Sequence, residues 1–399
     1  QAASRAALGR GDPAAASTLL ERAIALVGSD AAARGALLPA LGASLFEAGR
    51  MTEATRLLDE AIAQAGDPRN RARARVEREM VRLETDTGVQ FAHAGRVADA
   101  ALPLLEGDGD EVAQSRVWSL RAQVAWLAGR VAQADEAWCE AADCARRAGD
   151  DRGLFEVVGW RATAAVLGPA PVQEAIERCE SFREIVAGSP VAEAWTINPL
   201  AALHAMRGDV ELAEALLAQA NETLRQLGSL GSSPRHLEAL VWLLAGRPQL
   251  AERPLREGVQ RLRSMSAGGL LATTAAMLAQ AVYAQDGLEE AGELCRTAAA
   301  SAAADDIVTQ VIWRGVQAKV LARGGDRERA EALAREAVAL AEPTDLLCHH
   351  ADAMLDLAEV LRTCSRADES LGVVRAALSL YELKGNAVSA ARARALLGD

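Results

Sequence analysis

Small apolar residues and polar turn residues alternate along this chain with a period of about 39. Turn-forming residues stand at Gly11, Gly49, Gly95, Gly129, near Ala170, and at Gly208, Gly246, Asp286, Gly325 and Ser365. Five residues after each comes a small one: Ala16, Ala54, Ala100, Ala134, Ala175, Ala213, Ala251, Ala291, Ala330 and Ser370. Seven further on the column reads Ala23, Ala61, Gly107, Ala141, Ala220, Gly258, Ala298, Ala337 and Ala377, broken by Phe182. Before the turns it reads Gly42, Gly88, Ala122, Thr163, Ala201, Ala239, Ala279, Ala318 and Ala358. Fixed small positions let paired helices pack closely. The pattern predicts about twenty helices in antiparallel pairs: an all-α, right-handed α-solenoid of about ten hairpins spanning residues 1–399.

The breakers fall where loops are needed, at Gly66-Asp67-Pro68, Gly107–Asp110, Gly149-Asp150, Gly188-Ser189-Pro190, Gly231–Pro234, Gly268-Gly269 and Glu342–Asp345. Asp and Ser there can cap the next helix. Residues 153–199 carry Pro169, Pro171, Pro190 and Pro199 and no clean turn glycine, which predicts irregular helices and a change of curvature. After Lys384-Gly385-Asn386 a last helix, within 386–399, is expected to cap the solenoid.

Composition fits this picture. Half of the residues are hydrophobic but only 3% are aromatic, so alanine, the best helix former, does the packing. A net charge of −12 argues against nucleic acid as a ligand, and Lys319 and Lys384 are the only lysines. Six scattered cysteines contain no C-x-x-C pair and read as reduced core residues of a cytoplasmic protein. The uncharged run Ser264–Gln285 is in frame as a first helix and holds several Ser, Thr and Gln residues, so a buried helix is expected there rather than a membrane span. No initiator Met or signal peptide opens the chain, and only a stub of helix precedes Gly11, which reads as part of a larger protein.

Catalytic motifs are missing. Neither lysine follows a phosphate-cradling glycine loop, and no G-x-S-x-G or H-E-x-x-H occurs. Cys348-His349-His350 with Asp345 and Asp352 gathers metal-ligand types, but neighbours on a helix point about 100° apart, so no metal site is expected. Cys139 and Cys144 are likewise misaligned for one ion. Arg71, Arg75, Arg78 and Arg82 form a helical stripe interleaved with Glu77, Glu79 and Glu84, read as a solvated face with an acidic partner or phosphate as the alternative. No enzyme activity and no cofactor are expected.

In its columns the chain resembles the 34-residue tetratricopeptide repeat. Trp118, Trp160 and Trp313 stand near the aromatic fourth position, and Phe46, Phe91, Trp126, Trp242 and Tyr283 near the eleventh or twelfth. Most intervals are longer than that repeat, and only Gly95 to Gly129 matches its length. The longer form resembles the repeats of large bacterial signalling ATPases, including the maltose-regulon activator and LuxR-type large ATP-binding regulators. The segment Ser379–Leu397 also resembles the end of bacterial cyclase–ATPase–repeat fusions. The resemblance implies a sensor or interaction region in a bacterial signalling or transcription-regulating protein. Its partner would be a protein or peptide, including an ATPase or effector domain of the same parent chain. The alternative is a receptor for a small molecule or signalling peptide. Carrying the inward positions over by register gives Arg116, Ser119, Gln123, Trp126, Trp160, Trp195, Asn198, His236, Gln280, Tyr283, Lys319, Asp352 and Glu359. Aromatics beside amides suit an extended peptide.

Overall fold

A computed structural model describes residues 3–4, 7, 12–28, 30–86, 90–106, 109–227, 235–264 and 267–398. Among them are twenty helices and no strand. In chain order these are α1 (Pro13–Val27), α2 (Ala31–Glu47), α3 (Met51–Gln64), α4 (Pro68–Thr85), α5 (Phe91–Glu106), α6 (Glu111–Leu127) and α7 (Val131–Ala148). Then come α8 (Asp151–Leu167), α9 (Val172–Ile185), α10 (Pro190–Arg207), α11 (Val210–Gln226), α12 (His236–Leu244), α13 (Pro248–Ser264) and α14 (Gly268–Tyr283). The rest are α15 (Leu288–Ser301), α16 (Ile307–Arg323), α17 (Arg327–Ala341), α18 (Leu347–Thr363), α19 (Ala367–Lys384) and α20 (Ala387–Leu397). None is long and apolar enough to cross a membrane.

Local chemistry explains where helices start and stop. Asp12, Asp67, Asp306 and Asp326 accept backbone N–H groups of the first turns of α1, α4, α16 and α17. Pro13, Pro68 and Pro190 open helices, where the missing N–H costs nothing. Gly49, Gly129, Gly208, Gly246 and Gly325 turn the chain with φ between 70° and 101°, and Asp286 and Ser365 do the same at 61°. The small columns are buried: Ala16, Ala54, Ala134, Ala175, Ala213, Ala251, Ala291 and Ala330 are fully inaccessible. A Cβ on Gly42 would stand 2.5 Å from Leu58 Cδ2, which explains the glycine.

One turn assignment needs correcting. Gly95 lies inside α5, which already begins at Phe91, and Ala100 is exposed. Ala94, Ala98 and Ala101 are the buried small residues of that helix, so its register starts earlier. The 34-residue interval was therefore an artefact of reading Gly95 as the turn. The turn at Gly11, the small positions Gly88 and Gly107, and the loop Gly231–Pro234 lie outside the described residues. Between 153 and 199 the prolines are absorbed locally: Pro171 precedes α9, Pro190 opens α10, and α10 runs unbroken through Pro199.

Contacts divide the chain into two compact units. Unit 1 comprises Gln1–Ala125, Gln133–Trp160 and Arg263–Gly268; unit 2 comprises Trp126–Ala132, Arg161–Leu262 and Gly269–Asp399. In unit 1, α1 to α5 pack successively, and the first helices α2 and α4 also pack on each other. Leu20, Leu37, Leu38, Leu41 and Leu45 fill its core around Ala54 and Ala61. In unit 2 the same scheme joins α10 to α11 and α12, and α16 to α17 and α18. Stacked first helices are what the repeat period requires.

Unit 2 is further tied by its own C-terminal part. Asp345 accepts the N–H groups of Val131 and Ala132, each at 2.7 Å, at the start of α7. Lys384, fully buried, donates to the carbonyls of Ala165 at 3.0 Å and of Gly168 and Ala170 at 2.7 Å, just past the end of α8. Arg392 donates to the carbonyls of Leu243 and Leu244, the last of α12. Each charge has the sign its helix end favours. Helix α20 packs on α19 and on α10.

Candidate functional site

In unit 1 the inward row is built from α2, α4, α6 and the first half of α8. Arg116 on α6 grips Glu77 on α4 with two hydrogen bonds of 2.8 Å and reaches Glu156 on α8 at 3.3 Å. These partners are 39 and 40 residues away, one repeat to either side. Arg152 on α8 pairs with Glu47 on α2. Glu84, two turns beyond Glu77 on α4, has no hydrogen bond or ion pair among the described residues. Burial pushes its pKa up to about 7; Glu156 adds to the rise, Arg116 opposes it, and Glu47 adds a little more. Ser119 and Gln123 follow Arg116 on the same face of α6. They are 5% and 7% exposed, and among the described residues no protein group hydrogen-bonds to either side chain.

In unit 2 the corresponding row lies on α14, α16 and α18. Lys319 Nζ pairs with Asp356 at 2.6 Å and stands 4.6 Å from the centre of the Tyr283 ring. The Tyr283 hydroxyl donates to Glu359, and the Tyr381 hydroxyl donates to Asp352 at 2.5 Å. Burial works against the Lys319 charge, but Asp356 and Glu359 outweigh it and hold the pKa above the usual lysine value. Gly315 leaves room for this cluster, because a Cβ there would collide with the Asp356 carboxylate. Lys319 and Tyr283 are buried.

The other expected residues are spread more widely. Trp160 stacks on the fully buried Trp138, with ring centres 5.6 Å apart and planes 11° from parallel. Trp195 packs against Ala194, Ile197, Ala220 and Leu224, between α10 and α11. One turn on, Asn198 is half-buried, and its Oδ1 is wholly shielded without a hydrogen-bond partner. His236 Nε2 meets the Thr274 hydroxyl at 2.9 Å, and burial pushes its pKa down to about 4. Trp126 and Gln280 are half-buried. The Arg71–Arg82 stripe is engaged locally: Arg71 with the Ala65 carbonyl, Arg78 with Asp59, and Arg82 with Glu79 and Asp86. Of the suspected metal cluster, Asp345 caps α7 and Asp352 holds Tyr381, while Cys348 faces Asn386. All six cysteines are free.

Sequence reasoning missed Glu47, Arg152 and Glu156 in unit 1 and Asp356 and Tyr381 in unit 2, and read Glu77 and Glu84 only as part of a solvated stripe. A signal existed: Arg116 lies 39 residues after Glu77, and Glu156 lies 40 after Arg116, each about one period.

Among solved structures, the chain is similar to a Rap protein complexed with Competence and Sporulation Factor. The TM-score is 0.59 over 88% of this chain and 99% of that one, at 13% identity. The fold is a tetratricopeptide-like helical solenoid. Two weaker likenesses are NprR in complex with its cognate peptide NprX and a Pyrococcus horikoshii signal transduction ATPase with a tetratricopeptide repeat sensor. For NprR the TM-score is 0.48 at 13% identity, over 73% of this solenoid and 82% of that chain. For the ATPase it is 0.41 at 14% identity, over 97% and 55%. No protein-family profile and no curated protein matches the chain.

Proposed function

We propose that this solenoid is a non-catalytic sensor or interaction region that binds a peptide or protein segment along its first helices. The observation that carries the reading is Asn198: a half-buried amide whose Oδ1 is shielded from water yet has no donor. The shielded Oδ1 is out of a ligand's reach, but the Nδ2 of the same side chain is not shielded and has no acceptor among the described residues, so a peptide carbonyl laid along α10 can accept from it. Trp195, His236 and Gln280 stand on the same or neighbouring first helices and supply apolar and amide surface beside it. The fold is shared with a Rap protein crystallised in complex with Competence and Sporulation Factor, which supports the reading as a binding solenoid. The segment bound is a free peptide, or a loop of an ATPase or effector domain in the same bacterial signalling protein, acting in the cytoplasm to regulate transcription. Nucleic acid and membrane are not partners in this reading.

The test is a selection of displayed nonapeptides on the intact chain, followed by fluorescence anisotropy. The Trp195→Ala, Asn198→Ala double variant should bind the selected peptides at least roughly tenfold more weakly, with unchanged helical circular dichroism. Equal affinity in the variant would remove α10 from the binding surface.

A further inference from the structure

Unit 1 carries a polar row whose internal bonding is incomplete. Glu47, Glu77, Glu84 and Glu156 face two guanidinium groups, Arg116 and Arg152. Those two bind three of the carboxylates and leave Glu84 with none. On the facing helix, Ser119 and Gln123 are more than nine-tenths buried, and among the described residues neither side chain has a hydrogen-bond partner. Their register completes the picture. Glu77 and Arg116 are directly paired, while Glu84 and Gln123 each lie seven residues further along the same two helices, which is about two turns. Glu84 and Gln123 therefore occupy the next shared level of α4 and α6, with Ser119 between the levels.

Resting on the peptide-binding reading above, we infer that Glu84, Ser119 and Gln123 form a subsite for the cationic side chain, lysine or arginine, of a bound peptide. A carboxylate, a hydroxyl and an amide carbonyl are three acceptors of the kind an ammonium group, with three donors, requires. A hard divalent ion would demand about six oxygens, and the other carboxylates of the row are already committed to arginine. The excess negative charge of the row draws a cation in and repels an acidic side chain. Glu84 also makes the subsite pH-sensitive. Its carboxyl, which feels Glu156 on α8, Arg116 on α6 and Glu47 on α2, is half ionised near pH 7, and a bound cation holds it ionised.

The experiment presents the intact chain with four nonapeptide pools, random at the flanks and fixed at the centre as lysine, arginine, glutamate or serine. At pH 8 the lysine and arginine pools should bind roughly tenfold better than the glutamate pool. In Glu84→Gln, which keeps the shape and loses the charge, that preference should vanish while serine-centred binding persists. In the native chain, lowering the pH to 6 should also reduce it. Gln123→Leu should weaken the cationic pools alone. Trp195→Ala with Asn198→Ala should weaken all pools alike, which separates the general reading from this one. A cationic preference that survives Glu84→Gln, or equal binding of the glutamate pool, overturns the subsite. Failure of every pool to bind overturns the peptide reading itself, and the subsite with it.

Discussion

The inward charged rows of the two units use the same residue types and end differently. In unit 2 each carboxylate has a partner: Asp356 has Lys319, Glu359 has the Tyr283 hydroxyl, and Asp352 has the Tyr381 hydroxyl. In unit 1 Glu77, Glu156 and Glu47 are paired, but among the described residues Glu84 is not, and the mostly buried Ser119 and Gln123 have no hydrogen-bond partner there, though none of their polar atoms is wholly shielded from solvent. A satisfied buried network holds helices in register; a row whose unpaired polar atoms still reach solvent leaves them open to a ligand. Charge alone therefore does not distinguish a structural row from a binding row. The unpaired members do.

The comparison can be broken most directly at Lys319. Lys319→Met leaves Asp356 buried without its cation and should cost about 3–5 kcal/mol in urea denaturation. A loss below about 1 kcal/mol would show the unit 2 row to be as loosely satisfied as unit 1. Ala201→Leu, a fully buried position on α10, should overpack its contact at about 1–3 kcal/mol and leave lysine-pool selectivity in unit 1 intact. Unchanged calorimetry would refute the helix register.

Titration sharpens the contrast with opposite signs. The pKa of Glu84 is raised in the fold, to about 7, so the native state binds its proton more tightly than the unfolded chain does. Its contribution is most favourable below about pH 4.5 and declines as pH rises through 7. The pKa of His236 is depressed, to about 4 from 6.5, so its contribution is full above pH 6.5 and is lost as pH falls toward 4. Glu84→Gln should remove on the order of 1 kcal/mol of stability loss between pH 5 and 8, and His236→Asn a similar loss between pH 6.5 and 4.5, both read from urea midpoints. Either variant with the native pH profile would contradict its assignment. The smallest effect should come from Ser119→Ala, within roughly 0.5 kcal/mol, because no protein hydrogen bond is lost.

Much of the fold was legible because close helix packing restricts side-chain size at fixed intervals. Ala54, Ala134, Ala213 and Ala330 were found that way, and the turns at Asp286 and Ser365 even without glycine. Gly95 misled because a glycine inside a helix looks, in sequence, like a glycine ending one. The site was harder to read. Carrying register over from a family put Trp160 on the inward face, but nothing in the sequence signals that its ring stacks on Trp138 of the preceding helix. Glu84 was seen only as one member of a solvated stripe, because spacing along α4 does not reveal which arginine of a neighbouring repeat is already engaged by Glu77. Pairing across repeats is a property of three helices at once, and a single period of sequence contains two.

The caps supplied by Asp345, Lys384 and Arg392 span sequence separations of 148 to 219 residues. That sets a schedule for synthesis. The carbonyls of Ala165, Gly168 and Ala170 leave the ribosome long before Lys384 is made; at about 5–20 residues per second the wait is roughly 10–40 s. Throughout it the end of α8 must be hydrated, or held by a chaperone. Unit 2 therefore cannot mature hairpin by hairpin as it emerges: its earliest helices are finished by its last translated ones. A nascent chain stalled or cleaved before residue 384 presents the cell with uncapped helix ends, a form that proteolytic quality control can tell from the completed protein.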